Sequence, residues 1–203
     1  VLLPMRCRLQ NTFWKINWPN GKKILSRKDL KLKNYNFEGD ALVTNKKEFP
    51  IAILTADCAP ILIYDEKEKM IAAIHAGWKG AFKGIIKRTL NFMIKKGCAP
   101  KNITAVIGPC ISVKNYEVKK DFIKKLIKKD GKNKKFFKKI QNKDFFDLKK
   151  YVLSQLKALN IKKIDIINKN TFNPKNNFFS ARRSISRNEN DYGRNISVIM
   201  INS

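Results

Sequence analysis

Histidine occurs once in these 203 residues, and acids are scarce: 16 Asp and Glu stand against 44 Lys and Arg, a formal charge of +28. A lone histidine excludes, within one chain, any metal centre built from several imidazoles, the type 1 copper site and an oxygen-reducing copper cluster among them. The four cysteines, Cys7, Cys58, Cys98 and Cys110, form no CxxC pair. Their spacing excludes a four-cysteine zinc ribbon, and a disulfide scaffold is unexpected at this length. No apolar run approaches the roughly 20 residues that span a bilayer, and Arg6 breaks the first apolar stretch where a signal peptide needs continuity. The expectation is a soluble, cytoplasmic protein with no membrane partner.

The basic excess is spread along the chain and mixed with Asn and Ile. Its densest stretch, Lys128–Phe146, interleaves lysine with phenylalanine. No nucleic-acid-binding motif accompanies it, so salt-sensitive attraction to polyanions is expected and a specific nucleic-acid partner is not.

Apolar runs at 41–44, 51–55, 61–64 and 71–75 read as strands. They are continuous rather than alternating, as in strands covered on both faces. Phe82, Ile85, Ile86, Leu90 and Met93 recur at three- and four-residue steps, which predicts one helix over 81–97, capped by Gly97 with Pro100 just beyond. Residues 103–109 read as a buried strand, 118–131 and 147–160 as amphipathic helices, and 162–168 and 194–201 as strands. Strands in a group followed by mixed helices and strands favour an α+β fold with a mixed sheet, in one domain over residues 1–203.

The single histidine, His75, ends the run 71–75, and Cys58 lies just after the run 51–55. If runs 51–55, 61–64 and 71–75 form a meander, the first and third end at the same sheet edge, about 5 to 10 Å apart. A substrate or a metal ion then bridges the thiol and the imidazole, and Asp57 orients one of them. Gly77 and Gly80 precede a helix start, where backbone N–H groups favour a polar or anionic substrate edge. Two chemistries stay open: a cysteine nucleophile with a histidine base, and a thiolate–imidazole metal site.

Four stretches, TADCAPILIYD, AAIHAGWKG, IGPCISVKNYEV and FFSARRS followed by GRNISVIMI, together resemble the YfiH-like family, also called the laccase-domain or multicopper polyphenol oxidase family. The resemblance runs in order from about residue 38 to residue 201, and by this resemblance the chain is expected to be N-terminally short relative to the family. It implies a mixed-sheet α/β sandwich related to bacterial deamidating toxins with Cys–His sites. It implies zinc-dependent phosphorolysis of adenosine, inosine, guanosine or methylthioadenosine, with adenosine deamination. Copper-dependent oxidation of polyphenols is the family's older assignment. A purine nucleoside and phosphate are then the partners. The family's metal-binding cysteine and one histidine carry over to Cys58 and His75, while Asn20 stands where the family has a third ligand, a histidine. A cysteine amidohydrolase and a metal-free, non-catalytic member are the alternatives.

Other residues are candidates by type. Arg182 and Arg183 suit a phosphate or a carboxylate, and Arg194 less so. Trp78 suits stacking on a base or covering the core. Asp40 either ties strand ends or faces the pocket, Cys110 is expected in packing, and Tyr116 and Glu117 share a wall.

Overall fold

The computed structural model describes residues 39–202 and two short strands ahead of them, β1 (Trp14–Ile16) and β2 (Ile24–Leu25). Asn20 and Cys7 lie outside the described residues. The strands that follow are β3 (Ala41–Thr44), β4 (Ile51–Thr55), β5 (Ala59–Asp65), β6 (Met70–Ala76), β7 (Ile103–Ile107), β8 (Phe137–Ile140), β9 (Lys143–Phe146), β10 (Lys163–Ile166) and β11 (Asn195–Ile199). The helices are α1 (Trp78–Lys83), α2 (Ile85–Lys95), α3 (Lys120–Lys129), α4 (Leu148–Ala158) and α5 (Ala181–Ser186).

Seven of these strands form a mixed sheet in the order β10-β7-β5-β6-β3-β1-β2, in which only β10 and β7 pair in parallel. The central strands are apolar over most of their length because both faces are covered. On one face Ile61, Ile63, Ala72 and Ile74 pack against Ile85, Leu90 and Met93 of α2 and Val152 and Leu156 of α4. On the other, Ile71 and Ala73 pack against Ile51 and Ile53 of β4 and against Ile201. Each fully buried isoleucine contributes on the order of 1.5–3 kcal/mol, so the three layers hold by burial on both sides of β5 and β6.

The expected meander does not form. β4 leaves the main sheet and pairs with β11 as a two-stranded layer, with Ile51 opposite Ile199 and Thr55 opposite Asn195. The reason is legible in burial: β4 hides Ile51, Ile53 and Thr55 and exposes Leu54, so it is a strand with one covered face. The single helix over 81–97 is two helices. Gly84 at φ 89° is the C-cap of α1 and the N-cap of α2, a left-handed conformation in which glycine has no Cβ penalty. The basic stretch after α3 contains a hairpin, β8–β9, whose turn residues Gln141 and Asn142 both have positive φ, as a tight type I′ connection requires.

Candidate functional site

Register, rather than strand order along the chain, brings the site together. β5 and β6 are antiparallel with Ala59 opposite Ala76, so Cys58 and Gly77 continue the ladder one step beyond. β3 and β6 are antiparallel with Ala41 opposite Ile74, which puts Asp40 opposite His75. Cys58, His75 and Asp40 thus stand at one end of three adjacent strands. In the two-residue period of β6, His75 shares the face of Ile71 and Ala73, the side covered by β4 and β11.

His75 is held from two directions. Its backbone N–H donates to the Asp40 carbonyl at 2.7 Å, and its Nδ1 lies 3.1 Å from Asp40 Oδ1. That contact leaves Nε2 for the Cys58 side. The hydrogen bond to Asp40, and then the one to Cys58, push the His75 pKa from 6.5 up to about 10, against the opposing effect of burial. The imidazole is therefore cationic at neutral pH.

Gly77 explains why thiol and imidazole can meet. A Cβ built on it would sit 2.9 Å from Cys58 Sγ and 3.7 Å from His75 Nε2. Its φ of −68° is open to any residue, so glycine is required here by space and not by backbone conformation. Both reactive atoms converge on the volume that its missing side chain leaves.

Asp57 precedes Cys58 at φ 80°, a left-handed conformation that costs most residues about 1–2 kcal/mol. Its buried carboxylate accepts three hydrogen bonds. Oδ1 accepts from Thr171 Oγ1 at 2.6 Å, and Oδ2 accepts from Ser180 Oγ at 2.9 Å and from the Arg182 backbone N–H at 2.7 Å. Asp57 also receives the Ile111 N–H on its own carbonyl. Asp57 therefore locks the turn that aims Cys58 and ties it to the chain around α5.

Beside Cys58 lies a hollow of about 210 Å³, lined among others by Ile111, Tyr116, Leu148, Arg182 and Ile185. His75 is not in its lining and reaches it through Cys58. The two arginines part ways. Arg182 sits at the hollow, its guanidinium 5.4 Å from the centre of the Tyr116 ring and donating to the Glu117 carbonyl. Arg183 donates to the carbonyls of Thr171, Phe172 and Phe178, which fixes the loop ahead of α5. Arg194 turns back on the carbonyls of Tyr192 and Gly193. Trp78 packs edge-on against Phe122 with centroids 4.6 Å apart, in an aromatic cluster with Tyr116, Phe137 and Phe146 around it. Cys110 is fully buried, and burial pushes its thiol up to about 12.

Among the described residues, no group of three or more His, Cys, Asp and Glu side chains is placed to hold a metal ion. Cys58 and His75 are two donors, a thiol sulfur and an imidazole nitrogen, and a catalytic zinc has three protein ligands and an open position. The described donor set does not make that site. Asn20, the residue at the expected third position, lies outside the described residues.

Sequence reasoning did not foresee Thr171 and Ser180 as Asp57 partners. Ser180 does carry a local signal: it is an N-cap serine, its Oγ accepting the Arg183 N–H. Asp40, expected to tie strand ends or face the pocket, stands against His75, a partner that depends on register.

Comparisons with known proteins identify the family and the fold. A family model described as multi-copper polyphenol oxidoreductase laccase matches residues 14–202. The chain belongs to this family. It is 38% identical to a purine nucleoside phosphorylase of Rickettsia conorii over 78% of this chain and 66% of that protein. It is 35% identical to a purine nucleoside phosphorylase of Haemophilus influenzae over 81% of this chain and 65% of that one. The chain thus spans just under two thirds of these relatives' length. Among solved structures, the YfiH protein of Bacillus licheniformis superposes with a TM-score of 0.71 at 29% identity, covering 80% of this chain and 61% of that one. A Neisseria meningitidis protein of the DUF152 family gives 0.72 at 28% identity, over 82% and 66%. The family's fold is the mixed α/β sandwich described above. No helix among the described residues is long and apolar enough to cross a membrane.

Proposed function

We propose that this chain is an enzyme that cleaves purine nucleosides with phosphate, through a centre formed by Cys58, His75 and Asp40. The observation that carries the reading is the alignment of these three side chains at adjoining strand ends, with Cys58 opening on a hollow that also holds Arg182. The names of the relatives support the substrate class.

In this reading Arg182 binds phosphate, since a guanidinium matches the oxyanion geometry. A phosphate oxygen forms a bond to C1′ of the ribose as the C1′–N9 bond breaks, and the purine leaves with the bonding pair. The departing base takes the proton of Cys58, His75 restores it from its cationic ring, and the proton of the attacking phosphate returns to His75. Asp40 keeps Nδ1 engaged, so that the exchange takes place at Nε2. Positioned proton transfer of this kind contributes about 10²–10⁴-fold. No step is assigned to a metal, because the described residues supply only two ligands.

A second reading is favoured by the same alignment: Cys58 as a nucleophile, with His75 as the proton donor and Asp40 as its orienter. The thiolate adds to C6 of adenosine, ammonia leaves with the proton held by His75, and water then displaces the sulfur to give inosine. One assay separates the two. Free base and ribose 1-phosphate produced from inosine only when phosphate is present support phosphorolysis. Ammonia from adenosine without phosphate, and no base from inosine, support the hydrolytic reading. A phenol oxidation that consumes oxygen, with neither nucleoside reaction, overturns both.

A further inference from the structure

Between residues 119 and 139 the chain carries eleven lysines against two acids, Asp121 and Asp130. The fold gathers them on one unit, made of α3, the 3-10 turn Gly131–Phe136 and β8. Every one of these lysines is exposed. Among the described residues none pairs with a carboxylate, whereas Lys143, Lys150 and Lys163 elsewhere do. Asp130 offers little compensation, since its Oδ1 is engaged by the Lys132 backbone N–H at 2.9 Å.

The face is ordered from beneath. Phe122 of α3 packs on Trp78, Phe137 and Phe146, and Leu126 is fully buried. Lys129 Nζ lies 4.3 Å from the Phe82 ring centre, and Lys125 lies over both Trp78 and Phe82. Lys120, Lys124 and Lys128 recur every four residues on one stripe, about 6 Å apart by the helical rise. That stripe covers about 12 Å, the span of roughly three or four phosphates at the 3.4 Å charge spacing of one nucleic-acid strand.

We propose that this face binds nucleic acid independently of base sequence, by neutralising consecutive phosphates. Nucleic acid is favoured over a bilayer because the apolar side of α3 is spent on the aromatic cluster, leaving no apolar stripe to enter a headgroup layer. It is favoured over an acidic protein because the face lacks the buried aromatic and arginine anchors that carry protein interfaces.

The test is salt-dependent binding of a mixed-sequence 20-nucleotide single strand. The triple variant Lys120→Gln, Lys124→Gln, Lys128→Gln is expected to bind at least 10-fold more weakly at 0.1 M salt. The slope of log affinity against log salt should fall by about 2. A control triple on another exposed surface, Lys87→Gln, Lys95→Gln, Lys101→Gln, should lose less than 3-fold. A second face variant, Lys134→Gln, Lys135→Gln, Lys138→Gln, guards against a folding defect in the first and should also weaken binding beyond the control. Equal losses from face and control variants, or an unchanged slope, overturn the proposal in favour of diffuse charge. Tighter binding to vesicles of anionic lipid at equal phosphate concentration overturns it in favour of a membrane surface.

Discussion

Replacing Asp57 by alanine tests whether the Cys58 turn is held by one buried carboxylate. The variant removes three acceptor contacts and leaves the Thr171 and Ser180 hydroxyls and the Arg182 N–H without this partner. At about 1–1.5 kcal/mol for each lost buried bond, the expected destabilisation is about 3–5 kcal/mol. For a chain of this length each kcal/mol shifts the melting temperature by about 2–4 °C, so a fall of about 6–20 °C follows. Two companions resolve the contributions. Asp57→Gly loses the same bonds but accepts φ 80° freely, and should recover about 1 kcal/mol relative to alanine. Asp57→Asn keeps one oxygen for Ser180 and Arg182 and can donate to Thr171 Oγ1, so it should cost about 1–3 kcal/mol. Thermal unfolding followed by circular dichroism reads all three. An alanine variant that melts within 2 °C of the parent would refute the assignment of Asp57 as the clamp.

Three further outcomes follow from the site. Gly77→Ala places a methyl where only 2.9 Å separates it from Cys58 Sγ, so the sulfur must move. The variant should fold with a loss of about 1–3 kcal/mol and alkylate at Cys58 at a clearly altered rate, and an unchanged rate would contradict the convergence of the two groups. Asp40→Asn should lower the His75 titration midpoint, seen by NMR, from about 10 toward 6.5. Because the folded-state pKa is the raised one, the stabilisation from this contact is complete below pH 6.5 and disappears as pH rises toward 10, and the variant should show a smaller dependence, with the Cys58 contribution remaining. At pH 8, iodoacetamide should label the peptide carrying Cys58 and spare those carrying Cys98 and Cys110, whose thiols burial pushes up to about 12. Mass spectrometry of the peptides checks it.

The sequence shows the chemistry of this site better than its construction. Cys58 and His75 are conspicuous by type and rarity, and the strands that carry them are readable as unbroken apolar runs. A meander would bring them together through β4, whereas β4 is diverted to a second layer and the register of β5 on β6 makes the contact. Register depends on pairings between distant segments, which periodicity within one segment does not encode. Asp40 illustrates the limit, since its 35-residue separation from His75 is closed only by the β3–β6 ladder. Gly84 illustrates another: the apolar period runs unbroken through it, and only the backbone reveals that one helix is two. Arg182 and Arg183 are adjacent and identical in type, and the start of α5 sends one to the hollow and the other into backbone carbonyls.

The central claim is that Cys58, held by His75 and Asp40, is the reacting end of this molecule. The most direct measurement is phosphate-dependent release of base from inosine by the parent protein and by Cys58→Ala, with both shown to be folded by circular dichroism. A loss of at least 100-fold in the variant is the expected result. Base release at the parent rate by Cys58→Ala would contradict the account.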